Sequence, residues 1–166
     1  MKILIVDDEE MIRNVLREYV EFEGNEADEA ADGMEAVKKC RENDYDLILM
    51  DVMMPKLDGF SAVKEIRKEK DIPVIMLSAR GEEYDKLFAF EIGVDDYVTK
   101  PFSPKEVMAR INAVTKRRAA KEEKEERLLK FEGLEIDMAG RNVYVDGEKA
   151  VLTPKEYELL FYFVRN

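Results

Sequence analysis

Four short apolar runs in this chain each end on side chains able to do polar chemistry. Lys2–Val6 is followed by Asp7-Asp8, Asp46–Met50 by Asp51, Ile72–Leu77 by Ser78, and Val94–Val98 by Thr99-Lys100. Read as parallel strands, these runs carry the polar residues to one rim of a sheet, beyond the carboxyl ends, where open α/β folds bind ligands. Neighbouring strands lie about 4.8 Å apart, so carboxylates ending adjacent strands converge and a lysine two strands away reaches them. Three crowded carboxylates repel one another and shift upward in pKa unless a cation sits among them. Oxygen ligands without His or Cys favour a hard ion, and Mg2+ suits one or two carboxylates completed by water and a phosphate. The set therefore reads as a phosphoryl-handling site. Asp51 is the candidate nucleophile, since carboxylates form acyl phosphates with metal help. Lys100 would neutralise the incoming phosphoryl oxygens and Ser78 would donate a hydrogen bond to one of them. Any one of these acids alone reads as a helix cap or turn starter; polar residues at corresponding ends of four strands do not.

Composition removes many other chemistries. The chain has no histidine, so Ser-His-Asp triads, HExxH zinc sites and phosphohistidine intermediates cannot form on it. Phosphohistidine chemistry would need a partner. The single Cys40 excludes an internal disulfide and suits a reducing, cytoplasmic setting. Lys+Arg 27 against Asp+Glu 38 gives a net charge of −11, which argues against nucleic-acid binding by the chain as a whole. No apolar run approaches the roughly 18 residues of a membrane span, so no membrane contact is expected.

The elements that must position these residues alternate strand and helix. Helical spacing of apolar residues predicts helices over Glu10–Glu23, Phe60–Lys68, Glu83–Ile92 and Pro104–Val114. With the four apolar runs, this alternation implies an α/β fold with a parallel sheet and helices on both faces. Asn25–Ala31 should supply the remaining strand, but NEADEAA is so poor in β-branched and aromatic residues that only a sheet edge would tolerate it. From Thr115 to Lys130 the chain is rich in helix formers, and the preceding helix is expected to run on into it and fray. Residues 121–130 hold four basic and four acidic side chains, which reads as a solvated connector. After Lys130 the apolar pattern changes to period two, with turns at Ala139-Gly140 and Asp146-Gly147. Thr153-Pro154-Lys155-Glu156 then starts a helix with Thr as its N-cap. Three segments follow: 1–118 a complete domain, 119–130 a charged linker, and 131–166 a segment with too little core to be a whole domain.

The pattern Asp7-Asp8, Asp51 in LILMDVMMPKLDG, then MLSAR, then DDYVTKPF, resembles a response-regulator receiver domain over about residues 1–118. The tail FEGLEID…VDGEKAVLTPKEYELL resembles the opening of an OmpR/PhoB-type winged-helix DNA-binding domain. The first resemblance implies a flavodoxin-like (βα)5 fold with a five-stranded parallel sheet. It implies that Asp51 is the phosphoacceptor, serving a partner histidine kinase, with Asp7 or Asp8 and the Met53 carbonyl completing Mg2+ coordination. Ser78 and Lys100 would contact the phosphoryl group, the Lys100-Pro101 bond would be cis, and Tyr97 would be the aromatic switch whose orientation follows Ser78. An ordinary strand tyrosine explains Tyr97 equally well. Met53 and Arg80, two residues past Asp51 and Ser78, offer no general base to an attacking water, so autodephosphorylation is expected over minutes to hours.

In the family the face made by the fourth helix, fifth strand and fifth helix forms a symmetric dimer. Here that face carries Lys86, Glu91, Asp95, Asp96, Glu106, Arg110 and Arg117 around a Leu87/Phe90/Ala109 patch. Lys86–Glu106, Asp96–Arg110 and Asp95–Arg117 would be the pairs between copies. So small a patch implies a dimer that forms on phosphorylation rather than a permanent one. The second resemblance implies a transcriptional output, but residues 131–166 hold four basic and seven acidic side chains and stop before a recognition helix or wing. DNA binding is thus expected only of a complete version, and Leu159, Leu160, Phe161 and Phe163 are expected to be uncovered. Two rival functions remain: a receiver-only protein that sequesters kinase or partner monomers, and a Mg2+-dependent phosphohydrolase using Asp51. The second lacks any further acid or base beside Asp51.

Overall fold

The structure, a computed structural model, describes residues 1–79, 83–138 and 140–165. The chain divides into two compact units, Met1–Lys116 and Arg117–Asn166.

In the first unit five short strands form one parallel sheet: β1 (Lys2–Val6), β2 (Glu26–Ala30), β3 (Leu47–Asp51), β4 (Val74–Ser78) and β5 (Asp96–Thr99). Their order is β2-β1-β3-β4-β5, the doubly wound flavodoxin-like arrangement. Strands covered on both faces must be apolar on both, which is why β1, β3 and β4 are nearly continuous Ile, Leu, Val and Met. Alternate residues then feed two cores. Ile3, Ile5, Leu47, Leu49, Ile75 and Leu77 pack with Leu16 and Val20 of α1 (Glu10–Phe22) and Val107, Met108 and Ile111 of α5 (Pro104–Arg127). Leu4, Val6, Ile48, Met50, Val74 and Met76 face the other way. They pack with Ala36, Val37 and Cys40 of α2 (Gly33–Glu42), with Ala62, Val63 and Ile66 of α3 (Gly59–Arg67), and with Ala89 of α4 (Glu83–Glu91).

The weak strand lies at the sheet edge, as its composition requires. β2 is held there by charge as well as by backbone pairing. Asp28 accepts hydrogen bonds from Tyr45 Oη at 2.5 Å and Lys39 Nζ at 3.0 Å, and Glu29 pairs with Arg13 and Arg17 of α1. Polar side chains on an edge strand also discourage pairing with another sheet.

Three expectations need correction. Helix α2 was not among the helices predicted, because Ala36, Val37 and Cys40 make a narrow apolar stripe among Lys and Glu. Its signal is the Asp32…Glu35 cap. Asp32 accepts from the Glu35 N–H at 2.8 Å, and the Glu35 carboxylate accepts from the Ala31 N–H at 2.9 Å. The strand ends also move: β3 and β4 each include the polar residue expected just beyond them, because pairing continues through Asp51↔Leu77 and Ser78↔Thr99. Finally, α5 runs on past Val114 as expected but stays helical to Arg127 instead of fraying within the linker, and the period-two segment starts at Leu128 rather than after Lys130.

In the second unit β6 (Leu128–Phe131), β7 (Leu134–Asp137), β8 (Asn142–Val145) and β9 (Glu148–Ala150) form an antiparallel meander, followed by α6 (Pro154–Arg165). Ile136 and Val143 face each other across β7 and β8 and are buried. The β8–β9 turn has Asp146 at φ 50° and Gly147 at φ 83°, the pair of positive angles that suits a two-residue hairpin. Of the other predicted turn, Ala139 lies outside the described residues. Thr153 caps α6 through the Glu156 N–H at 3.3 Å. Leu159 and Phe163 are exposed, as is Val151, whereas Leu160 and Phe161 are half-buried.

Candidate functional site

β1 and β3 are neighbours, and β2 lies on the far side of β1, so the chain reverses its winding direction between them and leaves a crevice at their carboxyl ends. Into that crevice project Asp7 and Asp8 from the end of β1 and Asp51 from the end of β3. Each offers a carboxylate oxygen, and the three oxygens lie within 4.8 Å of one another. Asp7 and Asp51 are buried, whereas Asp8 is exposed. Lys100, just past β5 and two strands from β3, closes the group: its Nζ lies 3.0 Å from Asp7 Oδ2 and 3.3 Å from Asp51 Oδ1.

The local backbone explains this convergence. The Asp7 N–H donates to the Ala30 carbonyl at 3.2 Å, and its Oδ1 accepts the Glu9 N–H at 2.9 Å. The Lys100 N–H donates to the Ser78 carbonyl at 2.7 Å, which ties the end of β5 to the end of β4. The Lys100–Pro101 peptide is cis. Residues 52–58 form the loop that carries Met53, and glycines seat it at both ends. A Cβ on Gly59 would stand 2.0 Å from the Asp51 carbonyl oxygen, and one on Gly33 would stand 2.3 Å from that of Leu57. Only glycine permits either approach.

Electrostatics follow from burial. Removal from water, and then the charge of Asp7, push the Asp51 carboxyl up from 3.8 to about 7, against the pull of Lys100. Burial works against the Lys100 ammonium. The hydrogen bond to Asp7 and the charges of Asp51 and Asp7 outweigh it and leave the ammonium above its ordinary value. The pocket thus holds two buried acids beside one half-buried ammonium, with a third acid at its mouth. The donors are all oxygen and carry more negative charge than Lys100 offsets, which fits a hard divalent cation.

The other predicted residues are placed as follows. Ser78 is fully buried at the tip of β4, between the tips of β3 and β5. Tyr97 is 6% exposed and packs in the core that includes Ala89 and Val94. Met53 is exposed beside the site, and Arg80 lies outside the described residues. Away from the pocket, Leu87, Phe90 and Ala109 are exposed, as are Glu91 and Glu106. Arg110 pairs within its own chain, 3.0 Å from Asp96 and 3.1 Å from Glu106. Asp95 accepts the Val74 N–H at 2.9 Å and lies 3.4 Å from Arg67. Sequence reasoning passed over Arg13, whose Nη1 donates to the Asp7 carbonyl at 2.8 Å. No spacing rule marks that contact. Gly59 stands in Asp58-Gly59, a turn-forming pair whose sequence carries no mark of the close approach to Asp51.

Comparison with known proteins agrees with this arrangement. Residues 3–112 match the response regulator receiver domain. The chain is 46% identical over 169 residues to the transcriptional regulatory protein ResD of Bacillus subtilis, a match that spans 99% of this chain and 70% of ResD. Among solved structures, the receiver domain of a Francisella response regulator superposes with a TM-score of 0.67 at 41% identity, covering 70% of this chain and 98% of that one. The response regulator DrrB, a Thermotoga maritima OmpR/PhoB homologue, gives 0.64 at 30% identity over 97% of this chain and 70% of its own.

Proposed function

The chain belongs to the response regulator receiver family and is homologous to transcriptional regulators; on that premise we propose that Asp51 accepts a phosphoryl group from the phosphohistidine of a partner histidine kinase. The observation that carries this reading is the convergence of Asp7, Asp8, Asp51 and Lys100 at the tips of β1, β3 and β5. An Asp51 carboxylate oxygen attacks phosphorus, the P–N bond to the donor imidazole breaks, and the imidazole leaves with the electron pair. Because this chain has no histidine, the donor is another molecule. Asp7 or Asp8, Asp51 and the Met53 carbonyl would hold Mg2+, whose charge offsets that of the carboxylates and phosphoryl oxygens. Lys100 supplies a second positive centre, and the Ser78 hydroxyl is a neutral donor at the adjacent strand tip. An apolar groove of about 600 Å³, lined by Met11, Ile12, Val15, Phe102 and Pro104, opens beside Lys100 and offers the donor a place to rest.

A phosphoryl group adds about −1.5 to −2 charge and three strong acceptors. Drawing Ser78 and Lys100 toward them biases the ends of β4 and β5, and with them Tyr97 and α4. The expected consequence is a symmetric dimer through α4, β5 and α5, around Leu87, Phe90 and Ala109. Arg110 would then exchange its own Asp96 for that of the other copy, Glu106 would turn from Arg110 to the other copy's Lys86, and Asp95 would leave Arg67 for Arg117. Each exchange trades one partly buried ion pair for another of the same kind, so the net change is small and the phosphoryl group decides the balance. In a complete version, the second unit would continue into a winged-helix DNA-binding output.

The test is intact-mass spectrometry after treatment with acetyl phosphate and Mg2+. Wild type should gain one hydroxylamine-labile phosphoryl group, and Asp51→Ala none. Continuous turnover of a phosphomonoester without stable labelling would favour a phosphohydrolase instead.

A further inference from the structure

Two of the three pocket acids are tied to the sheet: Asp51 lies within β3, and Asp7, just past β1, donates its N–H to the Ala30 carbonyl. Asp8 is different. It stands past the end of β1, is exposed, and is carried by the Asp7–Asp8 peptide. The orientation of that one peptide plane decides where the Asp8 carboxylate falls. The carbonyl oxygen of the plane accepts a hydrogen bond from Arg13 Nη1 at 2.8 Å.

Arg13 is itself held from below. Its Nε lies 3.4 Å from Glu29 Oε1 on β2, and Arg17 binds the other oxygen of the same carboxylate. The Arg13 side chain is 16% exposed and that of Glu29 25%, so both are largely screened from water. The chain of contacts runs from edge strand through helix to acidic loop: Glu29, Arg13, the Asp7 carbonyl, Asp8. It also accounts for an acid on a strand too polar for its place. Glu29 seats the guanidinium and neutralises a charge that would otherwise oppose a cation in the pocket.

We propose that Arg13, seated on Glu29, is a positioning residue that sets the Asp7–Asp8 peptide and thereby the affinity of the pocket for a divalent cation. This rests on the reading of Asp7, Asp8 and Asp51 as the Mg2+ site. Groups that orient metal ligands without touching the metal typically change affinity by about 10–100-fold when removed. The sign of the effect separates positioning from plain electrostatics. Removing a positive charge near the pocket should tighten cation binding by Coulomb attraction alone, whereas loss of the carbonyl contact should weaken it.

The experiment is calorimetric titration of the whole chain with Mg2+ alone, together with the thermal midpoint in EDTA. Arg13→Gln should raise the Kd roughly tenfold, the low end of that range. Arg17→Gln removes an equal charge and the contact with the other Glu29 oxygen but touches nothing in the pocket, and its Kd should stay at the wild-type value. A merely structural Arg13 would lower the midpoint in EDTA and leave the Kd of the folded protein unchanged. Should Arg13→Gln fail to fold, Arg13→Lys and Glu29→Gln, which keep the cation, should still weaken Mg2+ binding measurably. A Kd for Arg13→Gln equal to or tighter than wild type overturns the proposal while leaving the acidic site standing. Absence of Mg2+ binding by wild type overturns both.

Discussion

Replacing Asp51 with Asn tests the electrostatics of the pocket most directly. The Asp51 side chain is 5% exposed, and burial together with Asp7 raises its carboxyl from 3.8 to about 7. A folded-state pKa above the unfolded one means that the native protein holds a proton the unfolded chain has released. Stability therefore falls as pH rises from about 4 to about 7, and the full penalty persists above that. A shift of about three units corresponds to about 4 kcal/mol at pH 8, since each unit is worth about 1.4 kcal/mol. At pH 5 the folded group is still protonated and the penalty is roughly 1.5 kcal/mol; below the unfolded value it vanishes. Asn keeps the shape and carries no charge. Urea unfolding in EDTA, followed by circular dichroism, should show Asp51→Asn more stable than wild type by about 4 kcal/mol at pH 8, by roughly 1.5 at pH 5, and by almost nothing near pH 3.5. Millimolar Mg2+ should narrow the gap at pH 8, because a cation stabilises the wild-type carboxylate and has less to gain from Asn. A variant no more stable than wild type at pH 8, or a gap that does not shrink on acidification, would refute the claim that Asp51 is held ionised at a cost.

Three further outcomes follow from particular contacts. Gly59→Ala places a Cβ 2.0 Å from the Asp51 carbonyl oxygen and 3.0 Å from Met76 Cε, so the strand that carries Asp51 must shift. Stability should fall by about 1–3 kcal/mol and acetyl phosphate labelling should slow, both measurable on one preparation by unfolding and mass spectrometry. Tyr45→Phe removes the 2.5 Å hydrogen bond to Asp28 that helps hold the edge strand, and should cost about 1–2 kcal/mol in urea unfolding at pH 7. An unchanged midpoint would mean that β2 is secured by its backbone ladder and Glu29 alone. Leu87→Asp places a charge on a side chain 57% exposed in the single chain. With Mg2+ and beryllofluoride, wild type should sediment as a dimer and this variant as a monomer; a variant that still dimerises would move the interface elsewhere.

Much of the fold could be read from hydrophobic pattern because the sheet is buried on both faces, and such strands have little choice but to be apolar. β1, β3 and β4 announce themselves in this way, and the polar residue ending each is conspicuous for the same reason. α2 escaped because it buries only Ala36, Val37 and Cys40 along its stripe, and its best mark is the reciprocal Asp32–Glu35 cap. β2 could be placed only by elimination: EADEA has no strand character of its own and persists because Tyr45, Lys39, Arg13 and Arg17 satisfy its acids.

The order of residue types along the chain was enough to put Asp7, Asp8, Asp51, Ser78 and Lys100 on one rim and to exclude any histidine of the chain's own from their chemistry, because strand period and the absence of histidine are properties of the sequence itself. What the chain order could not contain is distance. The contact of Lys100 with Asp7 spans 93 residues, the raised pKa of Asp51 depends on how much water the crevice excludes, and the Arg13 contact with the Asp7 carbonyl involves a backbone atom common to every residue. Those are consequences of packing, where energies depend on separations of a few ångströms that only the folded chain sets.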